Sequence, residues 1–199
     1  MSDSIKASVE NLIEAVKKNP KLANSVFRAS TYSDQPNFTV RSEIRGFTVP
    51  IDEPRELGGN DTAPKPVELL LAALGGCQEI VYRAFAAVLG IEIDRIEVHA
   101  KGHLDLHGFL GLSNEIPAGF SDISFTTRIV SSASEEAISQ LAALVEKHCP
   151  VQDTLSRSIP VKGKVELVHP EGAGSVIDIL VPAGKPCDGP HSAASQSSI

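Results

Sequence analysis

Tryptophan is missing altogether from the 199 residues, and two tyrosines and seven phenylalanines are all the other aromatic carbocycles present. So few flat side chains leave little for a surface on which nucleobases stack. Positive charge is also short. Lys and Arg number 18 against 25 Asp and Glu, a formal charge of −7, and no basic face stands out. Nucleic acid is therefore not an expected partner, and anionic lipid is disfavoured by the same acidity. No uninterrupted apolar run approaches the roughly 20 residues of a membrane span. The opening "MSDSIKASVENLIEAVKKNP" lacks the basic start and apolar block of a signal peptide. A cytoplasmic location with no membrane partner is the expectation. Cysteine is scarce too: three, an odd number too small for a disulfide framework, so each thiol has to be weighed separately.

What is present suffices for a folded domain, since 42% of the residues are apolar. Ile5, Val9, Leu12, Ile13 and Val16 fall at helical spacing ahead of Pro20. "SVFRASTYSD" and "NFTVRSEIRGFTVPID" alternate as strands, with "DQPN" as the turn between them, and the loop "EPRELGGNDTAPKP" follows. "PVELLLAALGGCQEIVYRAF" then reads as an apolar helix from Pro66 to about Leu89, stopped by Gly90. "IDRIEVHAKGHLDLHG" and "SDISFTTRIV" read as further strands. Ser134 caps a second long helix bearing Ile138, Leu141, Leu144 and Val145 on one face, and "IPVKGKVELV" reads as a closing strand. From His169 onward the composition is that of a flexible tail, within which "SVIDILVP" could dock as an edge strand. The order of elements implies an α+β fold without regular βαβ alternation. The expected organisation is an N-terminal helical extension over 1–25, a domain over 26–168 and a tail over 169–199.

The chemistry-bearing candidates begin with Cys77, which sits behind Gly75 and Gly76 inside a helix, where glycine costs about 1 kcal/mol against alanine. Two small residues would let a neighbouring backbone or a ligand approach the thiol, although a free cysteine also serves as a small buried hydrophobe. Cys149 lies in "KHCPV", where Pro150 breaks the helix and can leave the thiol accessible beside Lys147 and His148. A partly buried cysteine at a kinked helix end is the plainer alternative. Cys187 falls in the tail, as a regulatory thiol or an incidental one. His99, His103 and His107 recur every four residues on an expected strand, where neighbours stand about 13 Å apart, too far to share a metal ion. No metal and no bound cofactor is expected. Arg41, Arg45 and Arg55 precede the cysteine helix, and Arg55, in the loop leading into it, could fold back over Cys77. Glu68 opens that helix, where a carboxylate is favourable in any case.

Two motifs in order, "PVELLLAALGGC" and "HCPVQDTL", with "LDLHGFLGL" between them and a strand after, resemble the OsmC/Ohr family of thiol peroxidases over roughly residues 26 to 168. The resemblance implies an OsmC-like α+β fold in which two long helices pack centrally, flanked by antiparallel-rich sheets, as an intertwined homodimer. It implies a peroxidatic Cys77, a resolving Cys149, organic hydroperoxide as substrate and an external dithiol reductant, lipoyl-type in part of the family, delivered by a thiol reductant protein. Family peroxidases usually carry a glutamate directly after the helix-opening proline, paired to an arginine that supports the thiol. Here Val67 takes that place and Glu68 follows it, with Arg55 the positional match for the arginine. The alternative reading is a non-enzymatic dimer of the same fold that senses redox state or binds a small ligand.

Overall fold

The computed structural model of the chain describes residues 2–33, 36–172 and 174–179. The remainder, including Cys187 and most of the expected tail, lies outside the described residues. The chain divides into two compact units, one extending to Gln152 and one starting at Asp153.

The first unit opens with helix α1 (Ser2–Lys18), which Asn19 and Pro20 end by starting a 3-10 turn. Strands β1 (Ser30–Tyr32), β2 (Val40–Ile44) and β3 (Phe47–Ile51) form an antiparallel sheet in that order. The segment expected to form a single strand over residues 37–52 is thus a hairpin. Its two-residue turn is Arg45–Gly46, both at positive φ (53° and 92°), the backbone of a type I′ turn. Glycine supplies one of those conformations at no steric cost and Arg45 adopts the other. β1 is also shorter than expected, beginning at Ser30 where its pairing with Glu43 begins.

Helix α2 (Pro66–Leu89) has the expected bounds, with Pro66 in its first turn and Gly90 in the left-handed conformation at its end. By length and apolarity α2 could cross a membrane, but Glu68, Gln78, Glu79 and Arg83 interrupt it, and here it packs against α1 and β4. β4 (Arg95–Leu104) and β5 (Phe120–Val130) pair antiparallel along their length. Asp105 stops β4 early. Its Oδ1 accepts the His107 N–H at 2.8 Å and caps α3 (Leu106–Phe109), so His107 leaves the strand on which the sequence pattern placed it. Helix α4 (Glu135–His148) starts at Ser134, whose Oγ accepts the Ala137 N–H at 3.2 Å.

The core lies where α2, α4 and β4 meet: Tyr82 and Ala86 from α2, Ile96 from β4, Leu141 and Val145 from α4. Leu141 and Val145, one helical turn apart, are fully buried. Helix α5 (Pro150–Ser156) continues from α4.

In the second unit, β6 (Gly163–Val168) pairs antiparallel with β7 (Gly174–Ile179), and the side chains of β7 are exposed. β6 starts later than expected, after Pro160, which has no N–H for a ladder. β7 is the edge strand considered for "SVIDILVP", inside the segment otherwise expected as tail.

Leu141 is the most informative core position for stability. Leu141→Ala is expected to cost about 2–5 kcal/mol, read as a lowered urea midpoint at unchanged m-value.

Candidate functional site

The spacing that builds the core of α4 also carries its thiol. Leu141, Val145 and Cys149 are four residues apart, and all three have no exposed surface. Cys149 ends α4 with its N–H on the Val145 carbonyl at 2.9 Å, and Pro150 begins α5 where a missing N–H costs nothing. The sulfur of Cys149 accepts from the backbone N–H groups of Gln152 and Val151 in the first turn of α5. The Cys149 side chain is also hydrogen-bonded to Cys77, half-buried in the middle of α2, and both are free thiols. The two expected site cysteines, 72 positions apart on separate helices, are therefore in direct contact.

Burial pushes the Cys149 thiol up from its ordinary value, and hydrogen bonding and charge at Cys77 push it further. The Gln152 and Val151 N–H groups partly offset this. The expectation that the proline break leaves Cys149 accessible, with Lys147 and His148 aiding a thiolate, is corrected. The thiol follows the buried stripe inward while Lys147 and His148 face out, the His148 ring lying 5.4 Å from that of Phe85.

Beside the thiols runs a chain of amides. Gln78, fully buried next to Cys77, donates from Nε2 to Gln152 Oε1, and Gln152 Nε2 donates to Glu146 Oε2. Gln78 Oε1 has no protein partner among the described residues. Tyr82, one turn further along α2, is buried, and its hydroxyl pKa is raised by burial and by the Glu146 carboxylate.

Glu68 lies elsewhere. It is nine residues before Cys77, which at about 100° per residue sets it on the opposite side of α2 and about 13 Å away along the axis. Its Oε2 accepts the Lys65 N–H at 2.9 Å, which caps α2. Gly75 and Gly76 line a groove with Glu68, Leu71, Glu79 and Val98, a space of about 470 Å³ between α2 and β4. Added methyl groups would fit at both glycines: at Gly75 the nearest atoms are those of Val98 at 3.8 Å, and at Gly76 nothing lies within 4 Å. Within this chain the glycines thus open the face of α2 away from Cys149, not the approach of helix α4.

Arg55 is exposed on a 3-10 turn (Arg55–Leu57) and pairs with no carboxylate among the described residues. The loop that carries it is held by Asp52, buried at the end of β3. The Asp52 carboxylate accepts from the N–H groups of Glu53 (2.9 Å), Asn60 (3.2 Å) and Thr62 (3.1 Å), and from the Thr62 hydroxyl (2.8 Å). Gly59 is required by this fold-back, because a Cβ there would lie 1.8 Å from the Glu53 carbonyl oxygen.

The histidines each face their own carboxylate: His99 with Glu97 at 3.6 Å, His103 with Asp122 at 2.8 Å, His107 with Asp105 at 2.7 Å. Arg41 lies over the Tyr32 ring and Arg45 over that of Phe47, both on the first sheet. Sequence reasoning passed over Gln78, Gln152, Tyr82 and Asp52. Of these only Gln78 carried a local signal, a polar residue in a helix where its neighbours in the chain are mostly apolar.

A family model described as OsmC-like protein matches residues 58–164, a span that contains Glu68, Cys77 and Cys149 but not Arg55. No curated protein matches the chain. Among solved structures it is similar to an OsmC-like protein from Mycoplasma pneumoniae (19% identity, TM-score 0.58, covering 67% of this chain and 89% of that one). It is also similar to an OsmC-like protein from Vibrio cholerae (13%, TM-score 0.56, 66% and 94%). A third similar structure is an organic hydroperoxide resistance protein OsmC from Legionella pneumophila (19%, TM-score 0.51, 66% and 91%).

Two outcomes follow from this geometry. The Thr62 hydroxyl and the backbone N–H groups hold the Asp52 carboxyl below its ordinary 3.8. Its contribution to stability is therefore complete above that value and is lost as pH falls through the lower folded one. Asp52→Asn should lower the thermal midpoint at pH 7, and the gap to the unsubstituted protein should begin to narrow at about pH 4 and go on narrowing as the pH falls further. The second outcome concerns the thiols. Iodoacetamide at pH 8 should alkylate Cys77 well before Cys149, as peptide mapping would show, and equal rates would contradict the burial and raised pKa of Cys149.

Proposed function

Because the chain belongs to the OsmC-like family, we propose that it is a thiol-dependent peroxidase that reduces organic hydroperoxides with Cys77 and Cys149. The observation that carries this reading is the hydrogen bond between the two thiols, with Cys77 the more exposed and Cys149 held protonated by burial. The Cys77 thiolate attacks the terminal oxygen of a hydroperoxide. The O–O bond breaks, and the departing alkoxide takes a proton and leaves as an alcohol. The Cys77 sulfenic acid is then attacked by the Cys149 sulfur. An S–S bond forms, and the hydroxyl leaves as water with the Cys149 proton. An external dithiol, lipoyl-type or carried by a thiol reductant protein, restores both thiols and is itself oxidised to a disulfide. No cofactor enters this cycle. The Legionella relative named for organic hydroperoxide resistance supports the substrate class.

A homodimer in the cytoplasm completes the reading. Its support is the apolar face that α2 leaves uncovered in the protomer, where Ile80 is 71% exposed and Leu70 is exposed as well. In the intertwined arrangement, α2 and α4 become the central helices.

A second reading keeps the fold and the thiols without fast turnover, as a redox sensor or ligand-binding dimer. Val67 favours it, together with the engagement of Glu68 in capping α2 rather than in supporting Cys77 through Arg55.

Intact-mass analysis after one equivalent of cumene hydroperoxide separates the two. The peroxidase reading expects rapid loss of two hydrogens, mapped to a Cys77–Cys149 disulfide. It also expects no peroxide consumption by Cys77→Ser, and a Cys77 sulfinic acid in Cys149→Ser. Slow or absent oxidation of accessible thiols would favour the second reading.

A further inference from the structure

The protein–protein contacts around the thiols close into a ring. Cys77 meets Cys149, the Cys149 sulfur accepts from the Gln152 N–H, the Gln152 side chain accepts from Gln78, and Gln78 is covalently next to Cys77. Glu146, from the last turns of α4, accepts from Gln152 Nε2 and so anchors the ring to α4 as well.

Gln78 occupies a costly place. It is fully buried on α2, and one of its two polar groups has no protein partner among the described residues. Burying an amide that is only half satisfied is unfavourable relative to an apolar side chain of the same volume. The residue therefore adds little as packing, and what it uniquely contributes is the bond to Gln152. That bond fixes the first turn of α5, whose N–H groups hold the Cys149 sulfur.

We propose that the amide chain Gln78–Gln152–Glu146 is the device that registers the α4–α5 junction against α2, so that Cys149 stays within reach of Cys77 and captures it when oxidised. The proposal rests on the two-cysteine reading above and names the positioning residues for its second step. That step is the condensation of the Cys77 sulfenic acid with the Cys149 thiol to a disulfide and water, after an organic hydroperoxide has oxidised Cys77 and left as its alcohol. Without the amide chain the junction would sample positions in which Cys149 is out of reach. Cys77 would then persist as the sulfenic acid long enough for a second hydroperoxide to carry it to the sulfinic acid.

The test compares the unsubstituted protein with Gln78→Met, which keeps the volume, and Gln152→Ala, at a half-buried position. Each is equilibrated in dithiothreitol buffers of graded oxidised-to-reduced ratio, and the Cys77–Cys149 disulfide is counted by alkylation and mass. Each is also treated with excess cumene hydroperoxide and mapped for Cys77 sulfinic acid. Both variants are expected to keep a cooperative thermal transition, with that of Gln78→Met undiminished. Both should need a buffer about fivefold or more richer in oxidised dithiol to close the disulfide, the order of change for losing one such hydrogen bond. Both should accumulate more Cys77 sulfinic acid. Folded variants whose disulfide midpoint matches that of the unsubstituted protein would overturn the proposal. So would an unsubstituted pair that stays reduced in the most oxidising buffer. If the disulfide closes in the dithiothreitol series and shifts in the variants while hydroperoxide leaves every protein untouched, the registration stands and the peroxidase reading fails.

Discussion

The seating of α4 on α2 is the contact on which the rest depends. It puts Leu141 and Val145 against Tyr82 and Ala86, and one turn later the same stripe puts Cys149 against Cys77. A single four-residue spacing thus supplies both the interior of the first unit and the meeting of its two described thiols. A shift of α4 by one residue would turn the stripe by about 100° and cost both at once. The chemistry and the stability of this region are therefore not separable by position, only by residue type.

The same burial also assigns the thiols different characters. Cys149 has no exposed surface and its ionisation is opposed both by that burial and by Cys77, so it remains a thiol where a more exposed cysteine would begin to ionise. Cys77 is half-buried. No basic neighbour is among the groups that move the Cys149 pKa. Lys147 and His148, the closest basic residues in sequence to Cys149, point outward.

The two long helices were legible because their signals are local. Pro66, Gly90 and Ser134 each act through their own backbone, and the observed ends fall on them. The resemblance carried by the two cysteine motifs also brought out the pair of thiols. What the sequence hid was set by partners distant in the chain or by side chains acting on backbone. The Arg45–Gly46 turn splits a run read as one strand, and its local trace is slight: Gly46 itself and a change of parity from Val40 and Ile44 to Phe47, Val49 and Ile51. Asp105 ends β4 by capping α3, and Asp52 folds its loop with bonds spanning up to ten residues. At Cys149 the local signal misled: proline and two basic neighbours indicate an exposed, activated thiol, whereas spacing from Leu141 and Val145 indicates a buried one, and packing decides in favour of spacing. Glu68 is a similar case. A carboxylate in the first turn of a helix is sufficiently explained by the N–H it caps, and its angular distance from Cys77 leaves it no part in that thiol's surroundings on the same helix.

On the proposed reading, this arrangement imposes an order of events. An incoming hydroperoxide meets Cys77 before Cys149, since the first residue is partly exposed and the second has no exposed surface. First oxidation must therefore fall on α2. The second step meets the opposite condition: the attacking sulfur is already in contact with its target, so disulfide closure requires little travel by α4. Such closeness is favourable only while the junction is held still, because a thiol–thiol contact between two helices is easily lost to small rotations of either. Apolar packing alone fixes α4 along its stripe but ends at Cys149. Just beyond that residue the chain is held by directional bonds, from the Val151 and Gln152 N–H groups to the Cys149 sulfur and through the Gln152 side chain to Gln78 and Glu146. A polar chain that runs from the edge of an apolar core to the surface is thus the expected solution where position must be kept past the point at which the core stops.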